Sequence, residues 1–218
     1  MTEMEHEYRC LLSAVDRRLE DVHRYWHEAE RGYFDPDDFR VAIQTAIQTL
    51  RTVTFIVQSN KRFFSNFDPW YNSWQEKLRA DPLMRWMVDA RNKIEKQGDL
   101  ETHSFVRAEI MASYYDEGPR MEVPAELFQN PSQLISSIPN EALRNHVFKD
   151  GFLRIQRRWV ENSLPDHELL DAVGIAYGRI AELVADAHRE LGLKPPATMV
   201  GDIDRTPGKE SRGDDCPA

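Results

Sequence analysis

The sequence predicts a mainly α protein, an antiparallel helical bundle with a small β-containing insertion and a disordered C-terminal tail. Apolar residues recur at alternating steps of three and four through the first hundred residues and again near the end. After Gly98 the period falls to two, and from Lys194 onward Pro, Gly and charged residues leave no periodic apolar face. The expected organisation is one bundle domain over residues 1–193, interrupted by the insertion at about 99–163 and followed by a tail over 194–218.

Tyr8, Leu12, Val15, Leu19, Val22 and Trp26 form a seam on a helix expected over 4–31, which ends near Gly32. Asp35-Pro36 supplies an N-cap followed by proline at the first helical position. Phe39, Ile43, Ala46, Leu50, Val53 and Val57 repeat the spacing on a helix over 36–61, so the two helices make an antiparallel hairpin. Six aromatics, Phe63, Phe64, Phe67, Trp70, Tyr71 and Trp74, then stand close together. They read as a hydrophobic corner capping the bundle, or as a base-stacking platform; the large area each ring buries favours the corner. Asp68-Pro69 starts a short helix to Ala80, and Asp81-Pro82 starts another over 82–97 whose buried stripe is Leu83, Met87, Ala90 and Ile94.

Beyond Gly98, Val106, Ala108, Ile110, Ala112 and Tyr114 alternate with polar residues as in a half-buried strand, and Met121 to Val123 reads as a short return strand after a turn at 116–119. Residues 124–146 read as loop and short helical turns. Asp150-Gly151 is a hairpin-type turn, with Phe152 to Val160 as a strand after it or, alternatively, a helix. Leu169, Val173, Ala176, Ile180, Leu183, Ala187 and Leu191 restore the bundle seam on a helix over 166–191, started by Pro165-Asp166 and stopped by Gly192 and Pro195-Pro196.

The N-terminus is acidic and lacks the apolar core of a secretory signal, and the longest uncharged run within the helical segments, Val41 to Leu50, is far shorter than a membrane span. Only Cys10 and Cys216 occur, which excludes a disulfide framework and a four-cysteine zinc site and fits a reducing cytoplasm. A net charge of −9 argues against a generic nucleic-acid binder. The charge is uneven, however: residues 1–50 carry 6 basic and 11 acidic side chains, and residues 51–96 carry 9 basic and 5 acidic. A local basic face on an acidic protein is one reading of this, and a solvated helix face of mixed charge is the other.

Three constellations bear on chemistry. Arg91 and Asn92 sit near the end of the 82–97 helix, with Arg91 flanking the apolar stripe one turn after Met87. An Arg in that place pairs with a carboxylate for structure or presents its planar donors to a phosphate or carboxylate ligand. Glu20, His23, His27 and Glu30 share a helix face at metal-ligand spacing, but a site would need a further ligand such as Asp186 or His188. The reading adopted is boundary histidines, with no metal and no cofactor. Arg154, Arg157, Arg158 and Trp159 form a basic cluster that either contacts nucleic-acid backbone or is an exposed face offsetting the acidic helices. There is no Gly-rich phosphate loop, no Gly-x-Ser-x-Gly elbow and no His-Glu-x-x-His.

An Arg followed by a polar residue, with a His a few positions on, resembles the motif of the HEPN superfamily. The resemblance implies a bundle of four or five helices, metal-independent ribonuclease activity in many members, and a homodimer whose paired motifs form one site. The family's Arg and polar residue carry over to Arg91 and Asn92; where its shortest spacing has His, this sequence has Lys96, and the nearest downstream His is His103. Lysine stabilises phosphate charge but titrates far from neutral pH. The resemblance therefore implies a HEPN-like protein that binds RNA, a nucleotide or a protein partner without catalysis. Two alternatives stand beside it: a ribonuclease using Arg91 and Asn92 with Lys96 or His103, and a purely structural or oligomerising bundle.

Overall fold

Two Asp-Pro pairs set where helices begin, because an aspartate side chain satisfies the first free backbone N–H groups while proline gives up one that would go unpaired. In the computed structural model, which describes residues 10–111, 120–123 and 152–195 and the single positions 133, 136 and 141, Asp35 accepts hydrogen bonds from the backbone N–H groups of Asp37 and Asp38, and Asp81 from those of Leu83 and Met84. The elements are α1 (Ser13–Arg31), α2 (Pro36–Ser59), a 3-10 turn (Lys61–Phe63), α3 (Phe67–Ala80), α4 (Pro82–Gln97), β1 (Thr102–Met111), β2 (Arg120–Val123), β3 (Phe152–Glu161) and α5 (Leu169–Glu190).

The mainly helical bundle with a small sheet inserted between its fourth and last helices is as the sequence predicts. Three helix starts differ. Leu11 and Leu12 form a turn before α1, and the expected start at residue 4 falls outside the described residues. The third Asp-Pro pair, Asp68-Pro69, lies inside the first turn of α3 instead of starting it, where proline costs no hydrogen bond. The last helix starts at Leu169 and not at Asp166, because Leu164 folds back to bond the Glu161 carbonyl and Glu168 becomes the cap, accepting from the Asp171 N–H. The turns at 116–119 and 150–151, the end of the first strand at 112–114, the loop segment apart from its three single positions, and the tail beyond 195 lie outside the described residues.

Most of the predicted seams are buried: Leu12, Val15, Leu19 and Val22 before and in α1, the six residues of α2, the four of α4, and Leu169, Val173, Ala176, Ile180, Leu183 and Ala187 of α5, while Trp26 and Leu191 are half-buried and Tyr8 lies outside the described residues. Helix α2 is the central one. It packs against α1, α4 and α5, and accordingly buries Ala42, Gln44, Ile47, Thr49 and Thr54 beyond its predicted stripe. The aromatic run forms the corner. Phe64 stacks on Trp70 and Phe67 on Tyr71, and the indole N–H groups of Trp70 and Trp74 both donate to Asp186 of α5, at 2.9 and 2.8 Å. Among the described residues no helix is long and apolar enough to cross a membrane.

The sheet is antiparallel with strand order β2-β1-β3. Alternation sends Ser104 and Val106 of β1, with Arg157 and Trp159 of β3, toward the bundle. Trp159 stacks on Phe39 at 4.7 Å between ring centres and donates its indole N–H to the Tyr33 carbonyl. The Tyr33 hydroxyl lies 2.8 Å from the Arg157 carbonyl and 3.1 Å from a Glu168 carboxyl oxygen, two acceptors that share its one proton. Burial raises the pKa of both Tyr33 and Glu168 above their ordinary values. Residues 152–160 are thus strand, not helix, and the basic cluster divides: Arg157 and Trp159 are buried while Arg154 and Arg158 remain outside.

Gly98 closes α4 with a φ of +96° and donates its N–H to the Ile94 carbonyl. A Cβ there meets nothing within 4 Å, so only the backbone conformation demands glycine. Gly98→Ala should therefore destabilise by about 1–2 kcal/mol in urea unfolding. Gly178→Ala, in the interior of α5 with open space at the Cβ, should instead stabilise by about 0.5–1 kcal/mol.

Candidate functional site

Helix α4 turns its apolar stripe to α2 and lines an open groove with another face. Pro82, Arg85, Trp86, Asp89, Asn92, Lys93 and Lys96 recur at steps of three and four and, with Ser163 beyond β3, enclose about 550 Å³. The wall of this groove rests on Glu161, the last residue of β3, whose side chain has 0% exposure. One Glu161 oxygen accepts from the Lys93 ammonium at 2.9 Å. The other accepts from the Trp86 indole N–H at 3.1 Å, the Ser163 backbone N–H at 2.8 Å and the Ser163 hydroxyl. Asp99, just past Gly98, accepts from Arg40 and Gln44 of α2 and so fixes the turn that delivers the chain to β1.

A second surface lies on the face of the sheet away from the bundle. Phe105 is 64% exposed there, and Arg158 stands directly opposite it across the β1–β3 ladder. Arg107 opposite Gln156 comes next, and these four side chains line a shallow depression of about 220 Å³. Arg154 is exposed on the same strand, and the alternation of β1 sets His103 on this face as well.

The four residues expected to carry chemistry are divided between these places. Asn92 and Lys96 line the α4 groove. Arg91 stands on the flank of the helix, 27% exposed, where its guanidinium bonds Glu95 at 2.8 Å and the Asn92 side chain at 3.1 Å. His103 is exposed on the sheet. Helix periodicity separates Arg91 from Lys96, and a strand with its own alternation carries His103 elsewhere. The histidines of α1 also keep local partners: His27 bonds Glu30 at 2.9 Å, and the His23 ring meets it edge-on at 4.4 Å. Asp186 is occupied by Trp70 and Trp74, and His188 faces the start of α1.

Arg85, Trp86, Lys93, Glu161 and Ser163 were not singled out by sequence. The face of α4 at positions 82, 85, 89, 92 and 96 was legible as its polar side, but nothing local ties a glutamate near position 160 to it. Phe105 was the findable one, an aromatic in the polar phase of an alternating strand.

The family model described as "Bacteriophage lambda protein ea47" matches residues 4–218. Protein ea47 of Escherichia phage lambda is 39% identical over 172 residues, which cover 76% of this chain and 41% of that protein. The chain spans less than half the length of this relative. No solved structure matches it. The HEPN resemblance is overturned by this match to a different family. An Arg-Asn pair on an amphipathic helix is too short a signal to mark a family, and here the Arg is held by its own helix. The paired-motif dimer rested on that resemblance alone.

Burial pushes the Glu161 carboxyl upward, but the bonds from Ser163, Lys93 and Trp86 outweigh it and hold the group below its ordinary value of 4.5. Its contribution to stability is thus present above pH 4.5 and is lost as the pH falls through the lower folded value. Glu161→Gln should cost about 2–3 kcal/mol at neutral pH in urea unfolding. Its stability should also fall less steeply than that of the wild type below pH 4.5.

Proposed function

The chain belongs to the bacteriophage lambda protein ea47 family, and we propose, from its sheet surface alone, that it acts by binding, with single-stranded RNA as the ligand of its outer sheet face. The observation that carries this is Phe105, 64% exposed on the central strand and paired with Arg158. The ring lies open on the sheet beside a guanidinium group, as in surfaces on which single-stranded bases stack. An unstacked base offers a flat apolar face to the ring, and Arg154 and Arg158 offer guanidinium groups to the phosphates on either side. His103 extends the same face. The net charge of −9 belongs to the chain as a whole and opposes indiscriminate phosphate binding, which leaves stacking as the larger share of the affinity.

In this reading Arg91, Asn92 and Lys96 have no catalytic part. Arg91 braces α4 through Glu95, and Asn92 and Lys96 belong to a groove on a different surface.

Fluorescence anisotropy with a short labelled single-stranded oligoribonucleotide at low salt tests the proposal. Phe105→Ala should weaken binding roughly 5- to 150-fold, the equivalent of about 1–3 kcal/mol for one stacked base. Arg158→Ala should lower the slope of log affinity against log salt by about 0.7. Both side chains are exposed, so both variants should melt as the wild type does. An unbound oligonucleotide, or equal binding by Phe105→Ala, refutes the assignment.

A further inference from the structure

Away from both surfaces, the end of the last helix meets the beginning of the first, and three metal-ligating side chains converge there. Cys10 precedes α1, Asp16 lies in its first turn, and His188 is in the last turn of α5. Their ligand atoms all lie within 4.8 Å of one another. We propose that Cys10, Asp16 and His188 form a zinc-class metal site that ties the two ends of the bundle together.

Both separations from the imidazole nitrogen are those a tetrahedral ion imposes. With zinc bonds of about 2.3 Å to sulfur, 2.0–2.1 Å to nitrogen and 2.0–2.2 Å to oxygen, tetrahedral angles place S and N about 3.5–3.6 Å apart and N and O about 3.3–3.5 Å apart. Cys10 Sγ stands 3.6 Å from His188 Nε2, and Asp16 Oδ2 stands 3.3 Å from the same nitrogen. Simple hydrogen bonding explains the trio less well. The Val184 carbonyl accepts from His188 Nδ1 at 2.9 Å, which fixes the proton there and turns Nε2 toward the other two groups. Nε2 carries at most one proton, so it cannot serve both the sulfur and the carboxylate. Asp16 Oδ1 is also buried, with no hydrogen-bond partner among the described residues. A cation bonded to all three groups satisfies the lone pair of Nε2, the thiolate and the carboxylate together.

A thiolate, an imidazole and a carboxylate are together a borderline-soft set suited to zinc. The backbone carbonyl behind His188 is the outer hydrogen-bond partner that orients a metal-bound imidazole. His188 is fully buried while Cys10 and Asp16 are partly exposed, so the site lies at the rim of the bundle and its fourth position is left for water or another donor.

Cobalt(II) reports on such a site because a bound thiolate produces a charge-transfer absorption and four-coordinate geometry produces intense visible bands. The full chain, stripped with a chelator, should take up one equivalent of cobalt with both signatures, and zinc should displace it. Only two cysteines exist, so Cys216→Ser should keep the charge-transfer band, which then belongs to Cys10. Cys10→Ser should abolish the band and, with Asp16→Asn, weaken binding at least 10-fold, since losing a direct ligand costs no less than losing an outer partner, about 10–100-fold. Absence of the band in the wild type overturns the proposal, as does its loss in Cys216→Ser. Uptake that is unchanged in Cys10→Ser places the ion elsewhere, for instance at His23 and His27, and overturns it too. Wild type and Cys216→Ser decide the matter if another variant fails to fold.

Discussion

A carboxylate with no exposed surface sits where the sheet meets the bundle, and the placement of the sheet depends on it. Glu161 ends β3, yet its bonds reach α4 through Trp86 and Lys93 and the following turn through Ser163. A buried charge is tolerated only when its oxygens are fully bonded, so this corner admits one relative position of strand and helix. Two residues earlier on the same face, Trp159 is stacked on Phe39 and bonded to the Tyr33 carbonyl. Between these two attachments the inner face of β3 is committed to the bundle. By the period of two, Gln156 and Arg158 are then turned to solvent, with Val160 alone of that face buried among the described side chains, and Phe105 and Arg158 come to stand side by side in water.

The uneven charge of the sequence has a structural counterpart in this arrangement. Along α1 the charges pair at short range, Asp21 with both Arg18 and Arg24. On α4 and α5 the same happens, with Arg91 to Glu95 and Arg189 to Asp186. Exposed pairs of this kind contribute little to stability, typically below about 1 kcal/mol each. Within the 51–96 segment Lys77 pairs with Glu182, Arg91 with Glu95 and Lys93 with Glu161. The basic face that the composition suggested on the helices is found more clearly on the sheet, at Arg107, Arg154 and Arg158.

Most of the fold was legible because it is written in periodicity. Leu83, Met87, Ala90 and Ile94 needed only helical spacing to be recognised as a stripe, and all four are buried. Val106 and the residues alternating with it needed only the period of two. The helix starts at Asp35-Pro36 and Asp81-Pro82 were equally plain, since a cap acts within three residues. The site was not legible in the same way. Asn92 and Lys96 were picked out for a motif that the chain does not possess, and they line a groove because they happen to share a helix face with Trp86 and Lys93. Arg157 and Arg158 are neighbours in sequence with opposite fates, and only the register with β1 separates the buried one from the exposed one.

What the sequence hides has a common physical form. Glu161 bonds to residues on α4, Asp186 to two indoles on α3, Glu168 to Tyr33 in the α1–α2 turn, and His188 to Asp16 at the start of α1. Each is a polar group partly or fully withdrawn from water whose partners lie far along the chain. Desolvation makes each of them unfavourable unless the partner arrives, so each discriminates against misaligned packings that an apolar seam alone would accept. Leucine and valine on neighbouring turns can slide past one another at small cost. A carboxylate holding two tryptophan N–H groups cannot. The apolar periodicity therefore determines that a bundle forms, and these long-range polar contacts determine which helix faces and which strand face remain outside it.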